Sequence, residues 1–249
     1  MKVVKIGGNA LKNIDINVLK QLQTWLAEDE TVVLVHGAGP MVDDALAHAK
    51  LPVKKVAGLR YTDEATLKVM VNVVQTQVWP MLHHVLGQAH LSPTRLTDGV
   101  VAKIKDAGKF GAVGEIDSIT TTLMAGQLYV IGPLVSSAQG ELLNVNADEI
   151  ALAFARHFKA DTLYFLTDVA GVLDQNQQVM SKISPTVAAT LMSQEVVTGG
   201  MFIKLQAAFM AVQVGVQKIQ MGRDFQVGTK LVLGDLEGVI YLKPMPVQI

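Results

Sequence analysis

The chain has no cysteine and little charge, and both absences exclude whole classes of function. Without cysteine it forms neither disulfide bonds nor thiolate metal sites, a pattern typical of reducing compartments. Charged residues make up 17% of the sequence and the net charge is −1, with no basic run to attract nucleic acid or an anionic membrane surface. No apolar run approaches the roughly 18 residues that a membrane span requires. We therefore expect a cytoplasmic protein with neither a nucleic-acid nor a membrane partner.

Aromatic residues are also few, at 5%, whereas half of the 249 residues are hydrophobic and 21 are glycine. A core of Val, Ile and Leu with small residues between its layers is typical of a buried parallel β-sheet flanked by helices. The length allows one large α/β domain or two closely associated lobes. We expect any two lobes to meet near residues 155–160 and to share one sheet.

The opening part of the chain repeats the order strand, glycine turn and helix. A β-branched run at 2–6 leads into a Gly-Gly turn and a helix near 15–28, and a second run at 31–35 leads into residues 36–40 and another helix. This alternation predicts right-handed βαβ crossovers and a parallel sheet, in which the two glycine turns are neighbours.

The rest of the chain continues as a mixture of strands and helices, without a solenoid repeat or a low-complexity linker. Polar and apolar residues alternate between glycines over 100–122, which predicts β-hairpins. The remaining predicted helices are 64–87, a helix after Asp148 to about 158, 185–195 and about 199–215, and the remaining strands are 127–137, 162–166, 216–221, 229–233 and 239–241.

The two glycine turns offer bare backbone amides at the carboxyl ends of strands. Gly7 and Gly8 follow the first strand, and Lys5 adds a cation. Amides aimed at one point bind anions, phosphate above all, although both segments are equally consistent with tight turns. The second turn, His36 to Gly39, matches neither a dinucleotide fingerprint nor a Walker loop. We interpret His36 as a structural residue, since the histidines show no metal-ligand spacing.

Two polar segments are candidates for substrate binding. The planar guanidinium of Arg60 is suited to gripping a carboxylate, and the alternative is a salt bridge with Asp63 or a surface role. Asn144, Asn146 and Asp148 lie at a strand-to-helix junction, where one such residue suffices for capping. Three in five residues indicate an additional function, and Asp148 is placed to hold nearby lysines.

Two charged residues in the second half of the chain have open interpretations. Lys204 follows residues 198–201 by one helical turn, so it either turns back toward this glycine end of its helix or lies exposed. Asp168, at a strand end before Gly171, either meets Mg²⁺ or a nucleotide, or shapes a turn.

Taken together, these segments resemble the amino acid kinase family over residues 2 to about 223. Residues 58–63 and 143–148 are similar to those of family members that act on N-acetylglutamate. The resemblance rests on Lys5-Ile6-Gly7-Gly8, His36-Gly37-Ala38-Gly39-Pro40, Gly58-Leu59-Arg60-Tyr61-Thr62-Asp63, Gly114-Glu115-Ile116, Leu143-Asn144-Val145-Asn146-Ala147-Asp148, Leu166-Thr167-Asp168-Val169-Ala170-Gly171-Val172-Leu173 and Gly199-Gly200-Met201-Phe202-Ile203-Lys204.

The resemblance implies an α/β fold, a three-layer αβα sandwich around a mainly parallel central sheet. It implies an N-terminal lobe, residues 1–157, for amino-acid binding and dimerisation, and a C-terminal lobe, residues 158–249, for ATP. The implied reaction is ATP-dependent phosphorylation of the γ-carboxylate of N-acetyl-L-glutamate to the acyl phosphate, the second step of arginine biosynthesis. Mg²⁺ would be carried by ATP and not by a protein site.

The resemblance also assigns residues to these roles. The implied catalytic set is Lys5, Lys204 and Asp148, in which Asp148 holds both ammonium groups beside the transferred phosphoryl group. The implied substrate-binding residues are Gly8, Ala38, Gly39, Arg60, Asn144 and Asn146. The implied nucleotide-binding residues are Asp168, Val169, Ala170, Gly171, Val172, Leu173, Val196, Val197, Thr198, Gly200 and Met201.

The sequence departs from the family pattern at two places. Ala38 stands where the family has glycine, and affinity would suffer if this position required a positive φ. Gly222-Arg223 is followed after only four residues by Gly228-Thr229, where the family has a longer connection with a helix. We therefore expect a trimmed C-terminal lobe.

Assembly and two alternative functions complete these expectations. Arginine-inhibited members carry an extra N-terminal helix, whereas this sequence starts on its first strand, so we expect a homodimer insensitive to arginine. The first alternative is a kinase of the same fold for carrier-bound aminoadipate, aspartate or carbamate. The second is a non-catalytic amino-acid sensor, for which loss of Lys5, Asp148 or Lys204 is expected, and all three are present.

Overall fold

The computed structural model describes residues 1–197, 199–213, 215–216 and 218–231. The strands of this part of the chain are β1 Lys2–Ile6, β2 Val32–His36, β3 Lys55–Val56, β4 Leu59–Arg60, β5 Pro93–Arg95, β6 Val100–Ile104, β7 Val113–Ile119, β8 Leu128–Ile131, β9 Leu134–Ser136, β10 Leu142–Val145, β11 Thr162–Leu166, β12 Lys182–Ile183, β13 Lys218–Gly222 and β14 Thr229–Leu231. The helices are α1 Gly8–Lys12, α2 Ile16–Ala27, α3 Gly39–His48, α4 Glu64–Val73, α5 Trp79–Gln88, α6 Ala107–Phe110, α7 Ala147–His157, α8 Pro185–Ser193 and α9 Gly199–Gln213.

An eight-stranded sheet in the order β12-β14-β13-β11-β1-β2-β8-β5 forms the centre of the molecule. Strand β1 lies parallel to both β2 and β11, and β8, β5 and β13 continue in the same direction, whereas β14 runs antiparallel to β13. A four-stranded sheet, β6-β7-β10-β9, and the β3–β4 pair lie beside it. The prediction of a mainly parallel sheet is confirmed.

Helices cover both faces of the large sheet, because its strands are apolar on both sides. In β1, Val3 belongs to the core under α7 and α9, and Val4 to the core under α2, α3 and α5. Val33 and Leu34 divide in the same way in β2. This period of two follows from the pleat of a strand, and it gives the predicted three-layer αβα sandwich.

The large sheet joins strands from both predicted lobes. Strands β1 and β2 come from residues 1–157, and β11 and β13 from residues 158–249. The carboxyl ends of these four parallel strands therefore lie side by side, at the edge where α/β folds bind their ligands. None of the described helices combines the length and the apolar character that a bilayer span needs.

The predicted helix 64–87 is interrupted by a π-helical turn at Val74–Val78. Pro80, near the start of α5, has no N–H to donate to the carbonyl of Thr76, and its ring crowds that carbonyl. A π turn accommodates the missing donor and the steric clash, because it shifts the hydrogen bonds by one residue without ending the helix.

The predicted strand 127–137 is two strands, β8 in the large sheet and β9 in the small one. The break falls at Gly132 and Pro133, where Pro133 lacks an N–H for the ladder and a Cβ on Gly132 would lie 2.5 Å from Nε2 of His36. The predicted hairpins of residues 100–122 are one antiparallel hairpin, β6–β7, with α6 between its strands. The predicted strand 239–241 lies outside the described residues.

We expect His36 to make folding stability depend on pH. The side chain is 2% exposed, with Nδ1 3.3 Å from the carbonyl oxygen of Gly37, and burial lowers its pKa from 6.5 to about 4. Between these two values the unfolded chain takes up a proton that the folded chain does not, so stability falls as pH falls. The predicted loss from this group is about 3 kcal/mol between pH 7 and pH 4.

Chemical denaturation at several pH values measures this dependence, with His36→Asn as the comparison. The variant should be less stable at pH 7 but show a shallower slope of unfolding free energy against pH between 6.5 and 4. Equal slopes in the two proteins would contradict a buried neutral imidazole.

Candidate active site

The two glycine turns are in contact at the carboxyl edge of the sheet. The amide of Gly7 donates to the carbonyl of Leu166 and the amide of Gly37 to that of Ile6, both at 3.0 Å, so these two groups extend the ladder. A Cβ on Gly8 would lie 2.5 Å from Cδ of Pro40, which leaves no room for a side chain. The predicted neighbourhood of the two turns is confirmed.

Backbone amides beyond the ladder are left for a ligand. Helix α1 begins at Gly8 and α3 at Gly39, and amides in the first turn of a helix have no acceptor within the helix. Ala38 has φ −137° and ψ 5°, so this position does not require the positive φ that favours glycine. The substitution of the family's glycine by Ala38 therefore carries no positive-φ penalty.

A buried ion pair lies next to these turns. Nζ of Lys5, on β1, is 2.9 Å from Oδ1 of Asp148, in the first turn of α7. Their residues are 7% and 9% exposed. Asn146 caps α7 by accepting a hydrogen bond from the amide of Asp148 at 2.8 Å, which fixes the position of the carboxylate.

Two further charged residues, Lys204 and Asp168, interact electrostatically with each other. Burial, and then the charge of Lys5, lower the pKa of Lys204, while Asp148 and Asp168 act in the opposite direction. The carboxylate of Asp168 accepts hydrogen bonds from Thr167 Oγ1 at 3.0 Å and from Asn9 Nδ2 at 3.2 Å. The hydrogen bond from Thr167 is the main cause of its lowered pKa. The charge of Lys204 is thus linked to those of Lys5, Asp148 and Asp168.

A cavity of about 320 Å³ opens between α3, β4, β10 and α7. Five of the six predicted substrate-binding residues line it: Ala38, Gly39, Arg60, Asn144 and Asn146. The sixth, Gly8, touches its rim through Pro40. The structure therefore brings the predicted substrate residues together.

Arg60 has a partner that the sequence did not indicate. Its Nη2 lies 2.5 Å from Oδ1 of Asp43 and donates to the carbonyl of Gly39 at 3.3 Å. Asp63, the salt-bridge partner considered from the sequence, caps α4 by accepting from the amide of Thr66. Asp43 is one of two neighbouring aspartates on α3, and only its ion pair with Arg60 in the folded chain distinguishes it from Asp44.

Thr62 and Asn9 are further positioning residues that sequence reasoning missed. Fully buried Thr62 accepts a hydrogen bond from Nδ2 of Asn144 and donates to the carbonyl of Arg60, both at 2.9 Å, so it joins two sides of the cavity. Asn9 links the first glycine turn to Asp168. The sequence does contain an indication for Asn9, because this residue directly follows the glycine pair.

The predicted nucleotide residues divide into core and surface. Val172 and Val197 are buried, with Val196 and Met201 packed against the same core. The amide of Val172 donates to Thr229 Oγ1 at 2.8 Å. Asp168 is exposed, and Val169, Ala170 and Leu173 are partly exposed, as are Val196 and Met201. Gly171 is buried against Val179 and Thr229, and Gly200 lies in the first turn of α9. Thr198 lies outside the described residues.

The connection after β13 is short, as the sequence indicates. Asp224 Oδ1 accepts from the amides of Gln226 and Val227 at 2.8 and 2.7 Å, which closes a tight turn without a helix. Phe225 packs on Trp25 of α2 at a ring distance of 4.6 Å. Arg223 donates to the carbonyl of Asp168 at 3.0 Å, so this turn borders the predicted nucleotide segment.

An αβα sandwich with two adjoining glycine turns and a buried lysine–aspartate ion pair at one sheet edge is the arrangement of an α/β phosphotransferase. The model of the amino acid kinase family matches residues 1–222. The chain belongs to the amino acid kinase family.

Similar proteins cover nearly the whole chain. Proteins named acetylglutamate kinase are 32% identical in Streptococcus gordonii, over 93% of this chain and 98% of that protein, and 34% identical in Lactiplantibacillus plantarum, over 87% and 90%. A crystal structure from Streptococcus mutans is similar at a TM-score of 0.86 and 29% identity, over 94% of this chain and 98% of that one.

The contact between the turns predicts different effects at two neighbouring glycines. Gly8→Ala forces the turn away from Pro40 and should lower the free energy of unfolding by about 1–3 kcal/mol, the usual cost of overpacking. Gly39→Ala is the matched control, because a Cβ there meets nothing within 4 Å. Urea denaturation measures both, and equal stability of the two variants would show that the turns are not in tight contact.

Proposed function

We propose that this chain transfers the γ-phosphoryl group of ATP to the γ-carboxylate of N-acetyl-L-glutamate, forming the acyl phosphate in the second step of arginine biosynthesis. The observation that carries the proposal is the Lys5–Asp148 ion pair, with Lys204 in its field, beside the cavity of Arg60 and Asn144. The names and the coverage of the similar proteins support the choice of acceptor.

The two lysines offset the negative charge that opposes this reaction. A carboxylate must attack a polyphosphate in line, and negative charge spreads over the oxygens of the moving phosphoryl group. In our proposal the ammonium groups of Lys5 and Lys204 flank that group and neutralise it. Asp148 acts through the lysines, as a positioning residue that holds both. The amides of Gly8, Ala38 and Gly39 bind the γ-phosphoryl and acceptor oxygens.

The cavity is assigned to N-acetyl-L-glutamate. Arg60 binds the α-carboxylate, and Asn144 and Asn146 bind the region of the acetamido group. The volume of about 320 Å³ lies in the usual range for sites of small ligands. The hydrogen-bonded chain through Thr62 holds Asn144 and the Arg60 strand at a constant separation.

We assign ATP binding to the segment that follows the carboxyl end of β11 and to the residues at the start of α9. In this proposal Asp168 to Leu173 and Val196 to Thr198 line the nucleotide site, with Gly200 and Met201 at the helix start. Mg²⁺ arrives bound to the triphosphate. Residues 1–157 hold the amino-acid substrate and residues 158–249 the nucleotide. We also propose that the enzyme is a cytoplasmic homodimer.

A hydroxamate assay tests the reaction, because hydroxylamine traps acyl phosphates. We expect product with N-acetyl-L-glutamate and MgATP, and little with aspartate or carbamate. Product with another acceptor alone would assign the chain to a different kinase of this fold. Absence of product with every acceptor, carrier-bound aminoadipate included, would favour the non-catalytic sensor.

Replacing either lysine should reduce turnover far more than it weakens binding. Lys5→Ala and Lys204→Ala each remove a cation aimed at developing charge, so we expect kcat to fall roughly 10²- to 10³-fold with little change in KM. Lys12→Ala is the matched control, since Lys12 pairs with Asp44 at the surface, at 3.3 Å. A raised KM with unchanged kcat would make Lys5 and Lys204 binding residues only.

A further inference from the structure

The cavity contains a buried charged contact to which the proposed reaction assigns no role. Oδ1 of Asp43, on α3, lies 2.5 Å from Nη2 of Arg60. The Arg60 side chain is 9% exposed and that of Asp43 35% exposed. The contact therefore lies at the wall of the cavity, with Arg60 inside and Asp43 partly open to solvent.

The guanidinium of Arg60 is paired on one side only. Nη2 is engaged by Asp43 and by the carbonyl of Gly39. Nη1 is buried and, within the described part of the chain, has no hydrogen-bond partner. A buried donor without an acceptor is costly, and binding a ligand that supplies the acceptor recovers this cost.

We propose that Asp43 is a positioning residue, which holds the guanidinium of Arg60 against α3 so that its Nη1 edge receives the α-carboxylate of the substrate. This inference rests on the proposed function. A guanidinium carries five N–H donors in a rigid plane, so it serves two carboxylates at once, one on each edge. Asp43 thereby orders Arg60 before the substrate arrives, which removes part of the entropy cost of binding.

The role of Asp43 predicts a selective effect on substrates. Asp43 acts only through Arg60, and Arg60 acts on the α-carboxylate. Loss of Asp43 should therefore weaken binding of N-acetyl-L-glutamate, whereas a compound without an α-carboxylate should not be affected. 4-Acetamidobutanoate is such a compound, because it retains the reacting carboxylate and the acetamido group.

The experiment compares wild type, Asp43→Ala and Asp43→Asn with both compounds at saturating MgATP, and measures dissociation constants by calorimetry. For Asp43→Ala we expect KM for N-acetyl-L-glutamate to rise about 10- to 100-fold, the effect of losing one charged partner of Arg60, with kcat nearly constant. Asp43→Asn retains an oxygen of similar position and should lie in between. Constants for 4-acetamidobutanoate should be unchanged in both variants.

Two controls separate this role from a structural one. Asp44→Ala removes the next carboxylate on the same helix, which is 67% exposed and pairs with Lys12, and should leave all constants unchanged. In an Arg60→Met background, Asp43→Ala should cause no further loss, because the two residues act as one unit.

Four results would overturn the inference. Equal losses with both compounds, or a lower kcat at constant KM, would make Asp43 a residue of general structural importance. Additive losses in the double variant would separate Asp43 from Arg60. If wild type forms no acyl phosphate from N-acetyl-L-glutamate, the proposed function itself fails, and the assignment of Asp43 falls with it.

Discussion

The buried ion pair of Lys5 and Asp148 is the constraint on which the site depends. Taking two charges out of water costs several kcal/mol per ion, and their attraction offsets this only when both are held in place. Strand β1 holds Lys5, and the N-cap Asn146 holds Asp148 at the start of α7, where the helix dipole favours a carboxylate. The charges of Lys5, Asp148 and Asp168 also act on the ammonium group of Lys204. In the proposed reaction the ammonium groups of Lys5 and Lys204 flank the transferred phosphoryl group.

The parallel sheet explains why such distant residues meet. Strands β1, β2, β11 and β13 end at one edge, so the turns that follow them converge although they are far apart in the chain. The glycine turns touch because β1 and β2 are neighbours, and the close approach of Gly8 to Pro40 excludes a side chain between them. The cavity lined by Arg60 and Asn144 lies next to this contact, because Pro40 also lines it. The parallel order of these four strands thus puts the proposed acceptor site and the proposed nucleotide site at the same edge of the sheet.

Most of the fold was predictable because strands buried on both faces leave continuous apolar, β-branched runs in the sequence. The β-branched runs at 2–6 and 162–166 are strands of the large sheet, as predicted. The errors fall where a residue interacts with a distant partner or an unusual backbone. Pro80 produces a π turn inside a helix of ordinary composition, and the break at Gly132 is set by the ring of His36. Pro80 is visible in the sequence but the resulting shift of hydrogen bonds is not, and the contact of Gly132 with His36 joins residues far apart in the chain.

The sequence by itself determined the chemical inventory: the glycine turns, Lys5, Lys204 and Asp148, and the helix or strand that carries each. These depend on local propensity and spacing, which act within a few residues. The tertiary structure alone decided that Arg60 pairs with Asp43 and not with Asp63, that Ala38 needs no positive φ, and that Lys5 forms a buried ion pair with Asp148. Such contacts join residues from separate elements, so they exist only once the helices have packed on the sheet.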